Sequence, residues 1–153
     1  MQIRKATELD IERIRQLYLQ LDADAVGYQP EHFLLSARSE EFLLGIIAGE
    51  SSDFLLMEEG GETIGFSLLQ EKQTSHISCL RSQRYAYILD FVVDEARRGK
   101  GYGSLLMEAS KAWGRERNLD FLRLSVFPDN DMAQRFYERH GLKNAMITME
   151  SPL

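Results

Sequence analysis

Gly99, Gly101 and Gly103 stand at alternate positions, with Arg97 and Arg98 just before them, Lys100 between them and Ser104 after. Glycines so spaced leave main-chain N–H groups uncovered, and a helix opening immediately afterwards gathers those donors at the positive end of its dipole. That is the chemistry of a phosphate or diphosphate cradle, with Arg97, Arg98 and Lys100 as mobile positive charge around it. Upstream, Asp90 interrupts the apolar run Y-A-Y-I-L-D-F-V-V from Tyr85 to Val93. A carboxylate in such a run is unexpected without a partner, so it either pairs within the fold or acts as a base or an ammonium anchor. Downstream, Tyr137 carries a phenol that could deliver a proton, or could simply be an aromatic packed on a helix.

Elements follow from what must position these groups. Tyr85 to Val93 reads as a buried strand and Leu105, Leu106, Ala109 and Ala112 as the inner face of a helix ending near Asn118. Phe121 to Phe127 reads as a second strand, parallel to the first and joined to it by the helical crossover. Asn130 or Asp131 caps a helix through His140, with Ala133, Phe136 and Tyr137 on one face, Gly141 as terminator and a last strand from Asn144 to Glu150. Before the glycine turn come a short strand, Gln2 to Lys5, and a helix from Thr7 to about Leu21, opened by a variant capping box that uses Asp10. Leu9, Arg13, Ile14, Leu17, Tyr18 and Leu21 recur along that helix at its period. Asp22 to Ser39 reads as a loop in which Pro30–Phe33 look like the first turn of another helix, with Asp22, Asp24 and Glu31 as a solvated acidic surface in preference to binding residues. A helix from Ser39 to Ala48 and a hairpin, Asp53 to Glu58 and Glu62 to Gln70 about Gly60-Gly61, complete the first half. Glu71 to Arg84 is a loop or a ragged extension of the hairpin, and His76 and Cys79 in it are too few for a metal site.

The order is β, α, α, β, β, β, α, β, α, β, which predicts an α/β or α+β sheet with helices on both faces. At 153 residues, 44% hydrophobic, the chain is expected to be a single domain, 1–153. A net charge of −6 argues against nucleic acid as a partner. Cys79 alone allows no internal disulfide, and neither a signal peptide nor an 18-residue apolar run is visible, so a cytoplasmic protein without a membrane span is expected.

Glycine spacing narrows the phosphate chemistry. No G-x-x-x-x-G-K-[ST] string occurs, and the alternating glycines lie too late for a G-x-G-x-x-G dinucleotide fingerprint. R-G-K-G-Y-G, Arg98 to Gly103, instead resembles the [QR]-x-x-G-x-[GA] signature of the Gcn5-related N-acetyltransferases, the GNAT family. N-D-M-A-Q-R-F-Y-E-R-H-G-L, Asn130 to Leu142, resembles that family's N-x-x-A-x-x-x-Y-x-x-x-G-[FL], and I-R-K-A-T-E-L-D, Ile3 to Asp10, resembles its opening strand and helix start.

The resemblance implies a GNAT fold: a mixed central sheet of six to seven strands, with strands 4 and 5 splayed around an acyl-CoA groove. It implies acetyl-CoA as cosubstrate, with no metal, and direct transfer of acetyl to a primary amine in a ternary complex. Main-chain groups of Arg98, Gly99, Lys100, Gly101, Tyr102, Gly103 and Ser104 would hold the diphosphate, those of Phe91, Val92 and Val93 the thioester oxygen. Asn130, Ala133 and Phe136 would line the pantetheine arm, Tyr137 would be the general acid, and Asp90 the base or ammonium anchor. Many members carry glutamate at the position of Tyr87, which this chain lacks. Tyr87 and Asp90 face opposite ways in a regular strand and the same way if a bulge separates them. The family habit suggests a homodimer. A non-catalytic acyl-CoA-binding module is the alternative, and the acceptor amine is left open.

Overall fold

The computed structural model describes all 153 residues. One five-stranded sheet runs β1 (Gln2–Lys5), β2 (Ser52–Glu59), β3 (Glu62–Gln73), β4 (Arg84–Val93), β5 (Phe121–Leu124), in that spatial order. The first four are antiparallel neighbours, and β5 joins β4 in parallel. Four helices cover it: α1 (Ile11–Tyr28), α2 (Glu40–Ala48), α3 (Tyr102–Glu116) and α4 (Asp131–Arg139).

Alternation along the strands divides the core into two layers, because successive side chains leave opposite faces of a sheet. Phe54, Leu56, Phe66, Leu68 and Val92 pack under Ile14, Leu17 and Tyr18 of α1 and Leu43 of α2. Leu55, Met57, Ile64, Leu69, Ala86 and Ile88 pack under Leu106, Met107 and Trp113 of α3, with Phe136 and Tyr137 of α4 at the margin. Each large side chain so buried is worth about 1.5–3 kcal/mol against exposure, enough to fix which face of each strand turns inward.

A break in register decides which way the side chains of β4 point. Leu68 pairs with Asp90 and Leu69 with Ile88, so Leu89 is an extra residue, a β-bulge. Leu68 and Gln70 share one face of β3, and their partners Asp90 and Tyr87 consequently share one face of β4. Ile88 points to the α3 layer while Asp90 points to the α1 layer, where two-residue spacing alone would have put them together.

Several sequence expectations need correction. The sheet has five strands, not six to seven. Asn144 to Glu150 forms no strand, because a strand requires a hydrogen-bonded neighbour and no main-chain bond is made beyond Leu142. Pairing of β5 stops at Leu124, short of Phe127, whose ring turns away to stack on Tyr28 at 5.3 Å and meet Phe33 edge-on at 5.3 Å. The first helix continues to Tyr28, so Asp22 and Asp24 lie on it and not in a loop. Leu9 belongs to a single 3-10 turn before it and is exposed. Pro30 to Phe33 is one turn closed on the Gln29 carbonyl, not a helix start.

Candidate active site

Between β4 and α3 the chain makes one 3-10 turn, Glu95–Arg97, capped by the Asp94 carboxylate, which accepts from the Ala96 N–H at 3.1 Å. It then passes through Gly99 at φ +79° and Gly101 at φ +83°, left-handed positions that side chains resist. The N–H groups from Gly99 through Ser104 find no acceptor in the protein, and α3 opens behind them. Free donors at the start of a fifteen-residue helix are what an anionic group requires. Gly103 serves a different purpose: a Cβ there would lie 3.3 Å from Cε2 of Phe136, so its absence lets α4 approach α3. His140 at the end of α4 completes this contact through Nε2, 3.0 Å from the Ser104 hydroxyl.

The expected mobile charge around this turn is mostly committed. Arg97 reaches back to Glu59 and Glu62 on the β2–β3 hairpin. Arg98 donates through Nε to the Val93 carbonyl at 3.0 Å and lies 3.5 Å from Asp24. Lys100, exposed and unpaired, is the cation left over.

Beside the turn β4 and β5 part. Their ladder covers Tyr85 to Ile88 against Phe121 to Leu124 and then ends, so β4 from Leu89 to Val93 has no strand on that side. Of the residues expected there, Val92 is buried in the α1 and α2 layer, and the alternation fixed by Asp94, whose N–H bonds the Ile64 carbonyl, turns its main chain toward β3 as well, so the main chains of Phe91 and Val93 are the ones that face the gap. On the opposite face from the Val92 side chain, the Phe91 ring lies 5.9 Å from that of Phe136 and 6.4 Å from that of Tyr137. Asn130 caps α4, its Oδ1 accepting from the Ala133 N–H at 3.1 Å, while its amide nitrogen stays uncommitted. Burial alone pushes the Tyr137 phenol up to about 12, and no side chain hydrogen-bonds it. It is therefore a neutral donor at physiological pH.

Asp90 lies across the sheet from Tyr137, on the α1 side, and it has the partner that its apolar setting demanded. The Tyr18 hydroxyl donates to Oδ2 at 2.7 Å. Arg38 lies over the Tyr18 ring, its Cζ 4.2 Å from the centroid, and grips Asp22 through both terminal nitrogens at 2.7 and 2.9 Å. Burial raises the Asp90 pKa above the usual carboxylate range; the Tyr18 bond and the Arg38 charge pull against that without cancelling it, and Asp22 adds to it. The phenol of Tyr18 is itself driven far up by burial and by the carboxylate beside it, so it remains a donor.

None of Tyr18, Asp22 and Arg38 stood out in the sequence as a site residue, although one signal was available. Asp22 lies four residues after Tyr18, on the same helical stripe as Leu17 and Ala25, and a carboxylate on an apolar stripe needs a cation. Its reading as a solvated acidic surface is overturned: Asp22 is buried and paired. A separate trio, Glu31, His32 and Glu150, could bring three ligand atoms within 4.8 Å of one another, but all three are exposed.

A family model for the acetyltransferase (GNAT) family matches residues 11–142. The chain belongs to the GNAT family. Two proteins of Bacillus subtilis (strain 168), both described as uncharacterized N-acetyltransferases, are each 34% identical to it. YycN aligns over 71 residues, 46% of either chain, and YdgE over 74 residues, 48% of this chain and 47% of the other. The chain spans about half the length of these curated relatives. The crystal structure of a mutant of the BH1408 protein from Bacillus halodurans superposes with a TM-score of 0.95 at 31% identity, covering 100% of this chain and 99% of the other. The aminoglycoside N-acetyltransferase AAC(6')-Iy in complex with CoA has a TM-score of 0.74 at 18% identity, covering 99% and 98%, a likeness of fold alone. Within this GNAT chain no helix is long and apolar enough to cross a membrane.

Proposed function

We propose that the chain is a single-domain N-acetyltransferase that moves acetyl from acetyl-CoA to a primary amine by direct attack. What carries the reading is the juxtaposition of parted strands with uncovered amides: β4 and β5 separate beside a turn whose N–H groups, Gly99 through Ser104, have no acceptor. A diphosphate fits those donors, and Lys100 supplies the free cation. The cosubstrate brings the activated thioester; the chain supplies geometry and protons.

Phe91 and Val93, whose main-chain groups alternate with the one that Val92 turns to β3, offer main-chain donors along the unpaired side of β4, suited to polarise the thioester carbonyl. An ammonium must lose a proton before it can attack. Asp90, raised above ordinary carboxylates and held by Tyr18, accepts that proton directly or through water. As the new C–N bond forms and the C–S bond breaks, Tyr137 gives its proton to the departing sulfur. A phenol held neutral by burial is matched to that donation, and it recovers its proton from solvent afterwards. Because the bulge at Leu89 turns Asp90 and Tyr87 to one side, the acceptor enters from the α1 face and acetyl-CoA reaches the same gap from the α3 face.

Thiol release from acetyl-CoA over a panel of primary amines tests the reading. Turnover with at least one amine is expected, with Tyr137→Phe and Asp90→Asn each slowed while calorimetry still detects CoA. CoA binding without turnover of any amine would leave a binding module in place of an enzyme. No binding of CoA would refute the assignment altogether.

A further inference from the structure

Ser104, His140 and Glu108 form a chain of hydrogen bonds that the transfer chemistry leaves unused. His140 Nε2 lies 3.0 Å from the Ser104 hydroxyl, and Nδ1 lies 3.3 Å from Oε1 of Glu108, one turn further along α3. The His140 side chain keeps only 13% of its surface in solvent and its ring sits 4.7 Å from that of Phe136, so packing as well as hydrogen bonding holds it in place.

The direction of each bond follows from what the atoms can donate. Glu108 is ionised, because the His140 bond and then the Lys111 charge hold its carboxyl below the usual range. A carboxylate only accepts, so Nδ1 carries a proton. Nε2 then has two states. Without a proton it accepts, and the Ser104 O–H points at the ring. With one it donates to Oγ, and the hydroxyl hydrogen is free to point elsewhere.

Elsewhere is the glycine turn. Ser104 stands in the first turn of α3, where side chains lean toward the helix start, and its own N–H is one of the donors without an acceptor. A hydroxyl committed to the ring shows a bound anion its lone pairs, whereas one released by the imidazolium shows it a hydrogen.

We propose that His140 is a positioning residue for the diphosphate: it takes up a proton as the diphosphate binds, donates through Nε2 to Ser104, and so aims the Ser104 hydroxyl at a phosphate oxygen. This rests on the turn being the diphosphate cradle proposed above. The proton comes from solvent and returns to it when the cosubstrate leaves. Glu108 favours the imidazolium; Lys111, bonded from α3 to the His140 carbonyl, opposes it, as do Arg98 and Lys100 on the turn. On α4 the neighbouring Glu138 and Arg139 are both exposed and of opposite sign. Negative charge arriving beyond Ser104 tips that balance toward the protonated ring.

Calorimetry with dephospho-CoA tests this, because that molecule keeps the diphosphate and lacks the 3′-phosphate, which itself titrates near neutral pH. In buffers of different ionisation enthalpy at about pH 7.5, the wild type is expected to take up protons on binding. Its affinity is expected to fall between about pH 6 and 8.5, by up to about tenfold per unit. His140→Gln, whose amide can still donate to Ser104 but does not titrate, is expected to bind without uptake and with a flat pH profile. Ser104→Ala is expected to weaken binding about tenfold near pH 6 and little near pH 8.5. Nitrogen-15 spectra of the three histidines, assigned by removing His32 and His76 in turn, are expected to show the His140 ring moving to the imidazolium form on binding, a readout that needs no His140 variant. Binding without proton uptake, uptake that persists in His140→Gln, wild-type affinity of Ser104→Ala at every pH, or affinity for CoA with none for dephospho-CoA would each overturn the proposal and leave the cosubstrate assignment standing. Binding of neither molecule would remove the cradle itself.

Discussion

Arg38→Met is the substitution whose consequences the structure defines most fully. Arg38 comes from the connection between α1 and α2 and makes both hydrogen bonds to Asp22, a carboxylate buried on the apolar stripe of α1. Removing one partner of a buried ion pair costs about 3–5 kcal/mol, chiefly because the other charge is stranded. The Arg38 side chain keeps 29% of its surface in solvent, and screening there discounts the figure to roughly 2–3 kcal/mol. For a chain of this size that corresponds to a fall in Tm of about 5–10 °C. Asp22→Asn should cost less, since a half-exposed guanidinium can turn outward. The double variant Asp22→Leu with Arg38→Met should recover most of the loss, a coupling that a double-mutant cycle in urea would measure. The charge of Arg38 also lowers the Asp90 pKa, so its removal moves the acid limb of kcat/KM to higher pH. A Tm within about 2 °C of wild type, or a double variant no better than Arg38→Met alone, would refute the reasoning.

The remaining expectations can be checked in the same preparations. Asp90→Asn should slow turnover by roughly 10²–10⁴-fold, the usual scale for a lost general base, yet raise Tm at neutral pH. The sign follows from burial: a carboxyl whose pKa is raised on folding costs stability once it is ionised, and this penalty disappears as pH falls below the unfolded value near 3.9, so a Tm gain that persisted unchanged at pH 3 would be wrong. Tyr137→Phe should lower kcat on a similar scale, about 10²–10⁴-fold, with KM for acetyl-CoA little altered; in the wild type the phenol, at about 12, should cause no basic fall in rate below pH ~10. Gly101→Ala forces φ +83° on a residue with a Cβ, costing about 1–2 kcal/mol, and should weaken CoA affinity in calorimetry although open space surrounds the added methyl. Gly65→Ala places Cβ 2.7 Å from the Val92 carbonyl oxygen and should cost about 1–3 kcal/mol in a urea melt.

How much of this was legible beforehand depended on whether the relevant physics was local. The glycine turn could be read because left-handed positions at Gly99 and Gly101 and a close approach at Gly103 leave few alternatives to glycine. The α4 helix could be read because Asn130 and Gly141 mark its ends. The Tyr18 bond to Asp90 joins residues 72 positions apart, and nothing near either one announces the other. The charges around the turn were misjudged for the same reason: Arg97 is taken by carboxylates on a hairpin far back in the sequence. Periodicity did suggest strand character in the tail, but a strand is a relation between two segments, and sequence showed only one of them.

Leu89 leaves a different kind of constraint. The residue is 43% exposed and its side chain belongs to neither core layer, so many replacements there should leave the fold intact. Deleting the residue is another matter: with the spacer gone, β4 downstream of Ile88 would have to rotate by half a turn or slip against β3, and the acid now bonded to Tyr18 would be driven toward the oily side beneath α3. A position that tolerates almost any letter and cannot be left blank is invisible to substitution scans, and single-codon deletions along β4 would find it.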